Sequence, residues 1–306
     1  MEQGMTSGIA RAPEGQSDLP MKIKALAPWF GAKRNLAPRI VELLGPHSVY
    51  WEPFCGSMAV LMVKPTCRME TVNDLHGDLI NLARVIQDRQ QSCALYRRLR
   101  RVLMHEDLMA EAKEHMADSF EPGVERAYWY FLDAWVGRNG ISGTTAYNAH
   151  FCRRFTGKGG APTVRLISAV KSIPAWRRRL ARVCIMNTDA FEILERIDDA
   201  SGAALYVDPP YLIKNGKYKH DFSPEDHERL AVLLHRFQKA RVVLSYYDHP
   251  KLAELYPNWT QHKIEVSKTL TRHMTRGENN VKAVEVLLVN EKPHTSQQLS
   301  LFGLRP

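Results

Sequence analysis

An apolar run, Ala203 to Val207, stops abruptly at Asp208-Pro209-Pro210-Tyr211. Such a run reads as a buried strand, and the residues that stop it do not continue one. Ligands of open α/β sheets bind beyond the carboxyl ends of strands, so this stop is where a site belongs. Asp208 can accept hydrogen bonds from an amine, Pro210 stiffens the loop without adding a donor, and Tyr211 offers a ring face for a planar base. Taken alone, these residues are equally compatible with an ordinary turn after a strand.

The same pattern recurs along the chain. Val49 to Phe54 reads as a strand running into Cys55-Gly56-Ser57-Met58 and an apolar helix start, and Met69 to Val72 as a strand ending at Asn73-Asp74. Gly lets backbone approach a ligand, and a carboxylate about 20 residues further on is placed to accept the hydroxyls of a ribose. Asp74 could equally cap the next helix. Further strands are expected at Val183 to Met186, Arg241 to Tyr246 and Ala283 to Asn290. Helices are expected after Asn35, with Leu36, Ile40, Leu43 and Leu44 on one face, over Val124 to Val136, and after Ser223-Pro224. Gly31 and Lys33 at the first of these helix starts suit a small anion such as a ligand carboxylate.

The alternation lapses between about residues 91 and 182, where charge takes over. The chain of 306 residues has a formal net charge of +9, and Ala134 to Arg182 alone holds ten Lys or Arg with no Asp or Glu. An ordinary surface mixes both signs, so this stretch points to nucleic acid. Its polar loops carry Arg138, Asn139, Ser142, Asn148, Arg153, Arg154, Lys158 and, beyond them, Arg165. Arginines interleaved with amide and hydroxyl side chains suit phosphate contact and base readout. The expected organisation is a tail over 1–20, an α/β catalytic domain over 21–90 and 183–290, an inserted helical domain over 91–182, and a second tail over 291–306. Five scattered cysteines form no CxxC pair, and no apolar run reaches 18 residues. A disulfide framework, a metal site and a membrane span are therefore not expected, and a cytoplasmic, nucleoid-associated protein is.

With these residues laid out, the chain resembles the D12-class, Dam-like family of DNA adenine-N6 methyltransferases. The resemblance rests on Trp29-Phe30-Gly31-Ala32-Lys33, Glu52 to Ser57, Asn73-Asp74, Asp208 to Tyr211 and Glu285 to Asn290, in the family order. It implies a Rossmann-like S-adenosylmethionine-dependent methyltransferase sheet with an inserted, mainly helical target-recognition domain for double-stranded DNA. It further implies that Trp29, Lys33, Asp74 and Asp208 bind S-adenosylmethionine, that Glu52, Phe54, Cys55, Gly56 and Ser57 wrap its methionine portion, and that Asp189 approaches its adenine. Asp208, Pro209, Pro210 and Tyr211 would carry the reaction on a flipped-out adenine, with S-adenosylhomocysteine as product and no metal. The family's second turn glycine is Met58 here, and Ala32 replaces a common Gly.

A bacterial or phage enzyme is expected, either an orphan epigenetic methylase or one paired with a restriction enzyme, and either a monomer or a homodimer. An RNA or protein-glutamine methyltransferase is the alternative within enzymes; a catalytically silent DNA-binding regulator is the alternative outside them. Gln298-Leu299-Ser300-Leu301-Phe302, in a Pro-, Ser- and Gln-bearing tail, is similar to the short peptides that dock replication proteins into the bacterial sliding clamp.

Overall fold

The computed structural model describes residues 24–29, 31, 33–118, 120–137, 161–212, 222–267 and 282–290. Its strands are β1 (Val49–Glu52), β2 (Met69–Asn73), β3 (Val183–Met186), β4 (Ala203–Val207), β5 (Arg241–Tyr247), β6 (Trp259–Ser267) and β7 (Lys282–Asn290). They form one 7-stranded sheet in the order β3-β2-β1-β4-β5-β7-β6. β1 to β5 pair in parallel, and β7 runs antiparallel to both β5 and β6. The order reverses between β1 and β4, which makes a doubly wound, Rossmann-like sheet with its switch point there.

Each run expected as a strand became one, and β4 shows why. Ala204 and Tyr206 join one hydrophobic cluster while Ala203, Leu205 and Val207 join the other, so the run is buried on both faces. β6 was not anticipated from the sequence. Gln261, Lys263 and Glu265 are exposed on it, because β6 is the sheet's edge and needs only a half-buried face.

Helices α1 (Ala37–Leu44), α2 (Ala59–Val63), α3 (Gly77–Gln87), α4 (Arg89–Leu99), α5 (Leu108–Ala117), α6 (Val124–Val136) and α7 (Pro162–Leu180) share one cluster with the sheet. α8 (Ala190–Arg196), α9 (Pro224–His235) and α10 (Lys251–Leu255) share the other. The described helices of the basic stretch therefore belong to the sheet's own helical layer and form the crossover from β2 to β3. Trp135 of α6, 1% exposed, donates its indole N–H to the Leu26 carbonyl at 3.1 Å. α7 is fixed to β2 by a buried ion cluster: Arg179 pairs bidentately with Glu70 at 2.6 and 2.8 Å, and Lys64 approaches the same carboxylate at 2.5 Å. Both guanidinium and ammonium hold Glu70 ionised against its burial, below its ordinary pKa. Among the described residues, no helix is long and apolar enough to cross a membrane.

Candidate active site

A cavity of about 360 Å³ opens at the switch point, beyond the carboxyl ends of β1, β2, β3 and β4. Three strand ends are tied together behind it by Asn73. Its side-chain amide donates to the carbonyls of Pro53 and Thr188, each at 3.0 Å, and its side-chain carbonyl accepts from Thr188 N–H at 3.0 Å. A buried amide with four hydrogen-bonding positions can join three loops where an apolar side chain could join none.

The turn after β1 is shaped by its glycine. Gly56 has φ +43°, and a Cβ there would stand 2.8 Å from the Trp29 indole nitrogen. The Gly56 N–H donates to Asp74 at 2.8 Å, and the other Asp74 oxygen accepts from the His76 N–H at 2.9 Å. Asp74 is thus held in place from both sides, while His76, whose Nδ1 accepts from Leu79 N–H, caps α3. The sequence leaves open whether Asp74 caps the helix; the structure gives that role to His76. Met58 is the one described non-glycine residue with positive φ, at 59°. It occupies the left-handed position that the family pattern gives to glycine, with its side chain wholly buried.

Glu52 closes the inner end of the cavity. It is 1% exposed and accepts from the Tyr50 hydroxyl at 2.9 Å. Burial pushes its pKa up to about 8; the Tyr50 bond opposes that rise and the charge of Asp208 adds to it. On the opposite wall, Asp189 caps α8 by accepting from Phe191 N–H at 2.7 Å. Phe191 and Phe222 line the cavity beside it, stacked at 5.4 Å, and Phe222 meets Phe54 edge-on at 5.7 Å.

Asp208 lines the cavity at the end of β4 with its side chain 20% exposed. The Lys33 ammonium lies 3.0 Å from Asp208 and 3.2 Å from Glu285, and donates to the Gly31 carbonyl at 2.7 Å. Two protein carboxylates therefore share the cation that the sequence alone assigns to a ligand anion. Burial raises the Asp208 pKa to about 6, against the pull of Lys33 and with the charge of Glu285 adding to the rise.

All ten positions expected to bind the cofactor, Trp29, Lys33, Glu52, Phe54, Cys55, Gly56, Ser57, Asp74, Asp189 and Asp208, line this one cavity, as do Pro209 and Pro210. Tyr211 is placed differently. It is 5% exposed, packs against Tyr246 and Tyr247, and donates its hydroxyl to Glu285 at 2.5 Å and more distantly to Asp208 at 3.3 Å. Of the residues expected to contact DNA, Arg138, Asn139, Ser142, Asn148, Arg153, Arg154 and Lys158 lie outside the described residues. Arg165 is described, and its guanidinium donates to the carbonyls of Trp135 and Gly137 at 2.8 and 2.7 Å, closing the end of α6. The Gln298 to Phe302 peptide also lies outside the described residues. Among the described residues, no cluster of His, Cys, Asp or Glu is arranged to hold a metal.

Comparison with known proteins adds a family. Residues 29–272 match the family model described as D12 class N6 adenine-specific DNA methyltransferase. Over 286 residues the chain is 26% identical to the type II methyltransferase M1.LlaDCHI of Lactococcus lactis subsp. cremoris, a match covering 88% of this chain and 96% of that protein. The solved precorrin-6y C5,15-methyltransferase of Geobacter metallireducens GS-15 aligns at 10% identity over 83% of this chain and 88% of its own, with a TM-score of 0.33. The yhhF protein of Escherichia coli aligns at 12% identity over 85% of this chain and 83% of its own, with a TM-score of 0.30.

Proposed function

The chain belongs to the D12 class N6 adenine-specific DNA methyltransferase family, and from that premise we propose that it methylates N6 of a specific adenine, flipped out of double-stranded DNA, using S-adenosylmethionine. What carries this reading is the convergence of the ten cofactor positions on a single cavity with Asp208-Pro209-Pro210 in its wall. A volume of about 360 Å³ falls within the range of roughly 300–1,000 Å³ usual for small-molecule sites.

The residues fit the cofactor's parts. The glycine turn leaves Gly56 bare where a Cβ would strike Trp29, Glu52 is a buried carboxyl group that a cofactor ammonium would ionise and pair with, and Asp74 is held with its carboxylate at the cavity. Phe54, Phe191 and Phe222 add an aromatic wall beside Asp189, suited to an adenine ring. S-adenosylmethionine, when bound, supplies an electrophilic methyl group.

The protein's work is on the adenine. Its exocyclic nitrogen is a poor nucleophile because its lone pair is delocalised into the ring, and in duplex DNA it is stacked and paired. Extrusion costs a few kcal/mol. The Asp208 carboxylate and the Pro209 carbonyl then accept the two amino hydrogens, which draws the nitrogen toward tetrahedral geometry and frees its lone pair. Attack of the nitrogen on the sulfonium methyl would form a nitrogen–carbon bond as the carbon–sulfur bond breaks, with S-adenosylhomocysteine as the leaving group, and the methylated nitrogen would lose one proton to the Asp208 carboxylate and from there to solvent. Positioning and electrostatics carry the step without a covalent enzyme intermediate. In its described position the Tyr211 hydroxyl is held by Glu285 at 2.5 Å and reaches Asp208 only at 3.3 Å; stacking on the base would require the ring to leave the Tyr246–Tyr247 pocket.

Target recognition falls to the acid-free segment Ala134 to Arg182, and the match to a type II methyltransferase over nearly its whole length supports a site-specific target. The test is to incubate the protein with S-adenosylmethionine and unmethylated genomic DNA and map N6-methyladenine by single-molecule sequencing, beside Asp208→Ala. A short motif methylated only by the wild type is expected. Cofactor and duplex binding without methylation would overturn the reading and turn attention to RNA, protein amides or regulation.

A further inference from the structure

The buried pair at the Asp208 end of the cavity contains more charge than the transfer step uses. Glu285 stands on β7 opposite Tyr247 of β5, two strands away from Asp208 in the sheet. Its side chain is 8% exposed, beside Lys33 at 6%. An acid in the middle of an apolar strand is tolerated only when partnered, and Glu285 has the Lys33 ammonium at 3.2 Å and the Tyr211 hydroxyl at 2.5 Å.

The Tyr211 hydroxyl lies within reach of two carboxylates, at 2.5 Å from Glu285 and 3.3 Å from Asp208. The shorter bond is the stronger one, and the longer is at the limit of a hydrogen bond. Glu285 therefore draws the hydroxyl away from Asp208 Oδ1, while Lys33 holds Asp208 Oδ2 at 3.0 Å. The consequence is an Asp208 carboxylate anchored on one oxygen and only weakly occupied on the other.

We propose that Glu285 is a positioning residue for methyl transfer, sharing the Lys33 ammonium with Asp208 and retaining the Tyr211 hydroxyl, so that Asp208 Oδ1 stays available to the adenine amino group. The inference rests on the transfer reaction proposed above. Without the charge of Glu285, the Tyr211 hydroxyl moves to the remaining carboxylate and competes with the substrate amine for it.

The pH dependence has a definite direction. Among the described residues, the titratable groups around Asp208 are Lys33, Glu52 of β1, Tyr206 of β4, Tyr211, Tyr246 and Tyr247 of β5 and Glu285 of β7. The charge of Glu285 raises the Asp208 pKa and the Tyr211 bond lowers it. Removing the charge at 285 therefore shifts the acid limb of the kcat profile to lower pH, and removing the hydroxyl shifts it to higher pH.

The test is steady-state methyl transfer to duplex DNA across pH by the full chain, for the wild type, Glu285→Gln, Tyr211→Phe and the double variant. Gln keeps the shape of Glu, and Phe keeps the ring of Tyr. Glu285→Gln is expected to lower kcat about tenfold, the scale of one misdirected hydrogen bond to a charged group, with the KM for S-adenosylmethionine held within about twofold. The two single variants are expected to move the acid limb in opposite directions, and adding Tyr211→Phe to Glu285→Gln to restore most of the lost kcat by removing the competing hydroxyl. Unchanged kcat and acid limb in both single variants, or no recovery in the double variant, would overturn the role of Glu285 alone. No transfer by the wild type would overturn the underlying reaction as well.

Discussion

Replacing Met58 separates two opposed contributions at the glycine turn. A left-handed conformation costs a residue bearing a Cβ roughly 1–2 kcal/mol, and Met58 adopts it at φ 59°. Its side chain is wholly buried in the cluster that joins α1, α2 and the sheet, and truncating a buried Met to Ala costs about 2–5 kcal/mol. Met58→Ala keeps the strained backbone and loses the packing, so the whole of that cost is expected. Met58→Gly loses the same packing and relieves the strain, but adds about 0.5–1 kcal/mol of extra chain entropy lost on folding. The glycine variant should therefore be less stable than the wild type, by roughly 0.5–5 kcal/mol, yet more stable than the alanine variant by up to about 1.5 kcal/mol. Urea unfolding of the three proteins without cofactor, read from midpoints at a common slope, measures both differences. A glycine variant more stable than the wild type would mean that strain outweighs burial here; an alanine variant more stable than the glycine variant would mean that the strain of the turn is smaller than the entropy cost of glycine.

Gly56→Ala sets a Cβ 2.8 Å from the Trp29 indole nitrogen at φ +43°, a strain of about 1–3 kcal/mol that should weaken S-adenosylmethionine binding tenfold or more in a direct titration; unchanged affinity would remove the turn from the cofactor site. Burial raises Glu52 from 4.5 to about 8, so its contribution to stability is present below the unfolded value and is lost as pH rises through the folded one. A cofactor ammonium at Glu52 displaces that proton, and calorimetry near pH 7 in buffers of unlike ionisation enthalpy should detect its release; equal heats would place the ammonium elsewhere. Arg179→Met leaves Glu70, 1% exposed, with Lys64 alone as its partner and should cost about 3–5 kcal/mol in unfolding measurements; a loss below about 1 kcal/mol would show that Lys64 satisfies the carboxylate by itself.

The strand ends were legible because they are local. An apolar run followed by Asp208-Pro209, or by Gly56, marks its own end, and a parallel sheet brings such ends together at its switch point whatever lies between them. What depends on strand order was not legible. Glu285 reaches Asp208 only because β7 inserts beside β5 in the reverse direction, which no spacing in the sequence reports. The orientation of Tyr211 follows from that same insertion: with a carboxylate behind it, the hydroxyl turns inward, whereas the four-residue motif alone suggested a ring turned to the ligand. Asn73 was visible as part of a pair with Asp74, but its service to three loops required knowing that β1 and β3 flank β2. The helical stretch was legible only in part. Its charge describes what it can meet, while its packing is set by residues such as Trp135 and Arg179, which are read as part of the sheet's core only once Leu26 and Glu70 are in place. One nonlocal residue did leave a local trace: a carboxylate within Val284-Glu285-Val286-Leu287-Leu288 is an acid in a strand that buries its neighbours. A buried acid demands a cation, and the site's nearest cation is Lys33, so the pairing could have been sought from the sequence by asking which charge that strand must meet.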